Sequence, residues 1–129
     1  MLFDKINTVL VLAPHTDDGE LGMGGTIHKL LTAGKRVFYA AYSTANKSLP
    51  QGMAQDTLKI EVKQATAHLG IPPENLIIYD FEVRELNYSR QRILETLIKL
   101  RTELRPDLVF IPSLHDIHQD HQTIAQEAI

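Results

Sequence analysis

Residues 8–25 read TVLVLAPHTDDGELGMGG. The first six, Thr8 to Ala13, form a continuous apolar run rich in Val and Leu, with the length and β-branched content of a strand covered on both faces. Pro14 stops it. A glycine-bearing loop, Thr16 to Gly25, is expected next, and then Ile27, Leu30 and Leu31 fall at helical spacing before Gly34, a helix-ending signal. One strand–loop–helix unit is thereby complete, with an unusual density of acids in its loop.

The same unit recurs downstream. Arg36 to Tyr42 reads as a second buried strand, Ser43 to Gly52 as a loop, and Leu58, Val62, Ala65 and Leu69 mark one face of a helix closed by Gly70. Asn75 to Tyr79 predicts a third strand, and Ile93, Leu97, Leu100 and Leu104 line a third helix that must stop before Pro106. Asp107 to Ile111 predicts a fourth strand. From Gln119 the pattern is helical again, and it stops at Ile129 without a glycine, a proline or a polar tail, an ending that suggests truncation of a longer fold.

Strands alternating with helical segments of about 10 to 16 residues call for parallel crossovers, hence an α/β, Rossmann-like open sheet with helices on both faces. The usual order, 3-2-1-4, makes strands one and four neighbours, and ligands bind beyond their carboxyl ends where the winding reverses. The loops to inspect are therefore 13–25 and 112–121. At 129 residues a single domain, 1–129, is expected.

Composition narrows the chemistry. Hydrophobic residues at 43% and charged residues at 22% are globular values, and a net charge of −3 with no basic run excludes a nucleic-acid patch or an anionic-membrane anchor. No apolar run is long enough to span a membrane, and the short apolar stretch after Met1 to Lys5 is no signal-peptide core, so a cytoplasmic location is the expectation. The chain has no cysteine, which removes disulfides, thiolate catalysis and every Cys-based metal site, so any metal must sit on His, Asp or Glu.

Both inspected loops carry such residues. The first runs His15-Thr16-Asp17-Asp18-Gly19-Glu20 and the second His115-Asp116-Ile117-His118-Gln119-Asp120-His121. Placing strand one beside strand four gathers His15, Asp17, Asp18, His118 and His121. Imidazole and carboxylate together suit Zn²⁺ or Fe²⁺, and a hydrolytic site keeps three protein ligands and one open position, a set that His15, Asp18 and His121 would supply. The bland alternatives are that Asp17, Asp18 and Glu20 form a solvated loop capping the first helix, that His121 is a first-turn surface residue, and that His118 lies by a helix cap. His28 and His68 fall mid-helix, with structural or exposed roles expected. His115 and Asp116 fit hydrogen bonding to a metal histidine better than ligation. Arg84, Tyr88 and Arg90 follow strand three, where substrate contact competes with a surface or capping role. Gly22-Met23-Gly24-Gly25 superficially suggests a dinucleotide loop, but the G-x-G-x-x-G spacing fails at Ile27 and the adjacent acids would repel a pyrophosphate.

The segment Val9 to Gly25, with Ala13-Pro14-His15-Thr16-Asp17-Asp18-Gly19-Glu20-Leu21-Gly22 followed by Gly24-Gly25-Thr26, resembles the first motif of the LmbE-like (GlcNAc-phosphatidylinositol de-N-acetylase, PIG-L) family. His118-Gln119-Asp120-His121 matches the second. Between them, Lys59-Ile60-Glu61 with Ala65 and Leu69-Gly70 resembles the family's helix between the two motifs, which carries a basic and an acidic residue. Two departures stand out: Thr16 occupies a position usually held by proline, and the acid that follows the Asp pair is displaced by one, Gly19 then Glu20. Family members usually run well past the second motif, so closing strands and substrate-binding parts are expected to lie outside this chain.

The resemblance implies metal-dependent removal of an acetyl group from an N-acetylated amino sugar or related amide, a small-molecule partner. It also implies Zn²⁺, with Fe²⁺ as the alternative, on His15, Asp18 and His121; Asp17 as general base; protonated His118 as the oxyanion-stabilising group; and Asp120 as its orienting partner. Arg84 and Tyr88 are the candidate substrate contacts. A non-catalytic metal- or ligand-binding module that keeps the fold is the rival function. Specificity would lie in loops 43–56 and 81–89.

Overall fold

In the computed structural model, which describes residues 2–129, four strands and four helices alternate along the chain. They are β1 (Thr8–His15), α1 (Asp18–Thr32), β2 (Arg36–Ser43), α2 (Thr57–Leu69), β3 (Leu76–Ile78), α3 (Arg90–Leu104), β4 (Leu108–Phe110) and α4 (Gln119–Ala128). All pairings are parallel and the order is β3-β2-β1-β4, as the strand–helix alternation requires.

Because side chains alternate across a strand, β1 feeds two cores. Val9, Val11 and Ala13 pack with Ile27 of α1 and Val62 of α2 on one face. Leu10 and Leu12 pack with Ile93 and Leu100 of α3 and Ile124 of α4 on the other. Burial of each Val, Leu or Ile among them contributes about 1.5–3 kcal/mol, and the central strand is buried along nearly its whole length because helices cover both sides. Gly70, at φ +97°, ends α2 in a conformation that a side chain would resist.

Local boundaries differ from the sequence expectation in three places. The expected loop 16–25 shrinks to Thr16 and Asp17: α1 starts at Asp18, and the glycines that suggested a loop lie inside the helix. Glycine in a helix costs only about 1 kcal/mol relative to alanine, and acids at Asp18 and Glu20 in the first turn favour a start there. The helix bends at Met23, whose φ of −151° and ψ of 24° are not helical. Strand β1 also continues past Pro14, the register passing from Ala13↔Ala41 to His15↔Ser43, because a residue with no N–H can sit where no ladder bond is drawn from it. Strands β3 and β4 are three residues each, shorter than expected, as the outermost strands of the sheet.

Candidate active site

The carboxyl ends of β1 and β4 do meet at one place. His15 is the last residue of β1, Asp18 the first of α1, and Asp120 and His121 lie in the first turn of α4, where β4 delivers them. Between them runs a crevice of about 550 Å³ whose polar wall is Asp18, Asp116 and His121 and whose other wall includes Leu21, Phe110 and Ile111. This is the position at which open parallel sheets bind ligands.

Three donor groups converge on one point: His15, Asp18 and His121 each offer a ligand atom within 4.8 Å of the others. The Asp18 carboxylate lies 3.2 Å from His15 Nδ1 and 3.2 Å from His121 Nε2, and those two nitrogens are 3.4 Å apart. The far nitrogen of each imidazole is held from behind. His15 Nε2 is 2.8 Å from Asp120 Oδ2, and His121 Nδ1 is 2.8 Å from Asp116 Oδ2. A carboxylate behind each ring fixes its tautomer and leaves the inward nitrogen to act as a ligand. Two imidazole nitrogens and one carboxylate, with no sulfur, fit a borderline divalent cation.

Asp18 is aimed by its own backbone neighbourhood, since the His15 N–H donates to Asp18 Oδ2 at 2.7 Å. Burial opposes the charge on Asp18, yet the His15 bonds and the His121 imidazole hold its carboxyl below the usual range. Asp120 is wholly buried and is likewise lowered against burial, by His15 and by the N–H of Arg84 at 2.7 Å. Arg84 takes φ +67° to present that N–H, a backbone cost of about 1–2 kcal/mol for a side-chain-bearing residue that the bond to a buried carboxylate offsets.

The His15 imidazole is strongly perturbed. Burial alone would lower its pKa, but the bonds to Asp120 and Asp18 outweigh burial and raise it from 6.5 to about 9. A group raised in this way stabilises the metal-free chain fully below pH 6.5, and the contribution is lost as the pH rises through about 9. A cation at Nδ1 must displace that proton, so its apparent affinity should climb about tenfold per pH unit until it levels off near about 9. Competitive metal titrations across that range check this; an affinity independent of pH contradicts the assignment of His15.

The remaining residues differ in how the structure uses them. Asp17 precedes α1 as its N-cap residue but makes no side-chain capping bond and is exposed, so the bland role of helix cap is not what occupies it. His118 caps α4: its Nδ1 accepts the Asp120 N–H at 3.1 Å. With Nδ1 engaged as an acceptor, Nε2 is the ring nitrogen left to donate. Asp120 meets His118 through this backbone N–H and not through its carboxylate. That carboxylate bonds His15, Arg84 and Leu86, because α4 turns its first-turn side chain inward toward β1 while His118 receives only the backbone N–H.

Asp116, expected to hydrogen-bond a metal histidine, serves two residues: Oδ1 accepts the His118 N–H at 2.9 Å while Oδ2 holds His121. Its place two residues before the α4 cap was the available signal, since Asp commonly accepts an N–H two residues on. His28, His68 and His115 are exposed. Arg84 reaches the cluster through its backbone, and Tyr88, 83% exposed, is not drawn into it. Among the described residues no helix is long and apolar enough to cross a membrane.

An open parallel sheet with a His–Asp–His cluster at its switch point defines an α/β protein with a candidate metal site. Residues 10–129 match the family model PIG-L: GlcNAc-PI de-N-acetylase, and the chain belongs to that family. It is 31% identical over 129 residues to the diacetylchitobiose deacetylase of Thermococcus kodakarensis, an alignment covering 93% of this chain and 47% of that protein. Among solved structures it is similar to the N,N'-diacetylchitobiose deacetylase of Pyrococcus horikoshii in complex with its inhibitor MPG, with a TM-score of 0.85 at 28% identity over 98% of this chain and 49% of that one. It is also similar to the conserved protein TT1542 of Thermus thermophilus, with a TM-score of 0.72 at 29% identity over 93% and 52%. The chain thus spans about half the length of these relatives.

Proposed function

We propose that this chain carries the metal-binding and catalytic centre of an N-deacetylase acting on an N-acetylated amino sugar or a related amide. The observation that carries the reading is the convergence of His15 Nδ1, Asp18 and His121 Nε2, each ring backed by its own carboxylate. The deacetylase relatives support the reaction class, and the diacetylchitobiose named for them makes a short N-acetylglucosamine oligomer the first substrate to test. Residues 1–129 form one domain in this reading.

His15, Asp18 and His121 would hold Zn²⁺, with Fe²⁺ as the alternative. A divalent ion held there supplies Lewis-acid chemistry, lowering the pKa of water toward about 7 and polarising an amide carbonyl. Asp17, with no capping bond to keep it, accepts the proton of the attacking water and returns it to the amine nitrogen as the C–N bond breaks, leaving acetate and a free amine. His118 donates from Nε2 to the carbonyl oxygen as charge develops on it, and loss of such a donor costs about a hundred- to thousandfold in rate. Asp120 and Asp116 keep the two imidazoles turned inward. Arg84 and Tyr88 remain the proposed sugar contacts.

Elemental analysis of the loaded chain, paired with acetate release from N-acetylglucosamine and diacetylchitobiose, tests this. One ion per chain and chelator-sensitive release are expected. Less than a stoichiometric ion overturns the site, and release that survives chelation overturns the metal dependence. Asp120→Asn should weaken metal affinity by about 10- to 100-fold, the scale for a residue that orients a ligand; an affinity equal to the parent's would remove Asp120 from that role.

A further inference from the structure

Glu20, the displaced acid of the first motif, does not enter the His–Asp cluster. It reaches back to β2, where Tyr39 lies fully buried and donates its hydroxyl hydrogen to the Glu20 carboxylate. The same hydroxyl oxygen accepts the N–H of Gly19 at 3.0 Å. Gly19 is what admits it: a Cβ at this position would lie 2.2 Å from Tyr39 Cε2 and 2.7 Å from the hydroxyl oxygen. Residues 19 and 20 directly follow Asp17 and Asp18, so the hydroxyl is fastened to the chain at the two positions next to the paired acids.

Helices leave their first N–H groups without partners, and the residue before the helix usually satisfies one of them with its own side chain. In α1 that residue is Asp17, which makes no such bond. Tyr39 meets the need from the neighbouring strand instead. An aspartate at an N-cap is ordinarily drawn onto the backbone; here the Gly19 N–H is already taken by Tyr39, and Asp17 makes no capping bond.

We propose that Tyr39 is a positioning residue of the candidate active site: its buried hydroxyl caps α1 in place of Asp17 and, tied to Glu20, holds the Asp17–Asp18 pair in the orientation that serves the cluster. The displacement of the acid by one residue then has a reason. Glycine must stand at 19 for the ring to approach, and the glutamate at 20 is in reach of the hydroxyl. This inference rests on the metal-site reading above, and its test separates the two.

The control comes from the same strand. Tyr42 is also fully buried in β2, but it faces the opposite core and pairs its hydroxyl with Thr96 Oγ1 at 2.9 Å, away from the cluster. Tyr39→Phe and Tyr42→Phe therefore remove the same atom from equally buried sites. Two readouts are taken on the whole chain: the dissociation constant for Co²⁺ with its visible spectrum, and, without metal, exchange of the His15 amide that donates to Asp18. Tyr39→Phe should weaken Co²⁺ binding by about tenfold, the scale of one hydrogen bond to a charged partner, alter the spectrum, and speed His15 amide exchange by a similar factor. Tyr42→Phe should lower melting temperature comparably while changing neither.

Glu20→Gln, which keeps an acceptor for the hydroxyl, should stay near the parent, whereas Glu20→Ala should behave like Tyr39→Phe. Equal losses in Glu20→Gln and Glu20→Ala would reduce Glu20 to a distant charge and overturn the proposal. So would a Tyr39→Phe protein whose Co²⁺ affinity and His15 exchange match the parent's, or a Tyr42→Phe protein that changes both equally. If the parent itself binds no Co²⁺, the metal-site reading fails, and the His15 exchange alone decides whether Tyr39 holds the turn.

Discussion

Asp18→Asn should lose divalent-cation affinity by at least about a hundredfold, more than the 10- to 100-fold typical of removing a residue behind a ligand. The substitution keeps the shape of the side chain and an oxygen able to accept the His15 N–H, so the helix start survives. What it removes is the negative charge between two imidazoles, each 3.2 Å from a carboxylate oxygen. Those contacts also help raise the His15 pKa to about 9, so the variant's His15 should titrate lower, with only Asp120 still bonded to it. Competitive Zn²⁺ titration and a histidine NMR titration measure the two effects. An Asp18→Asn protein that binds Zn²⁺ within a few-fold of the parent would take Asp18 out of the ligand set.

Much of this architecture was legible in the sequence because the signals were local. The apolar run at Thr8–Ala13, the helical spacing of Ile93, Leu97, Leu100 and Leu104, and the parallel-crossover rule together produce the strand order, and that order alone brings His15 and Asp18 to His121. What escaped depended on how distant elements meet. Glycines at 22, 24 and 25 suggested a loop because intrinsic propensity cannot register that helix α1 is packed on a buried sheet. The partner of the Asp120 carboxylate is 105 residues away in sequence, His15, and only the docking of α4 against β1 shows that the carboxylate backs His15 and not His118. Tyr39 reads from sequence as one more core residue of a buried strand. Its hydroxyl acquires meaning from the proximity of β2 to the first turn of α1, and from the missing side chain at Gly19.

The neighbouring acid should behave differently from Asp18. Asp17→Asn is expected to bind metal within a few-fold of the parent, because Asp17 makes none of the contacts that join His15, Asp18 and His121. Hydrolysis, in contrast, should fall by about a hundred- to ten-thousandfold, the span for loss of a general base. The folded structure should tolerate the change, since Asp17 is exposed and carries no capping bond, and an asparagine there is itself a favoured residue before a helix. Consecutive residues at the turn from β1 into α1 send their side chains in different directions, which is how adjacent carboxylates can divide ligation from proton transfer. Paired metal titration and acetate release on Asp17→Asn and Asp18→Asn, in protein whose parent releases acetate, distinguish the two roles. A loss of metal in Asp17→Asn as severe as in Asp18→Asn, or full activity with aspartate absent at 17, would show that this division of labour is wrong and that another group accepts the proton.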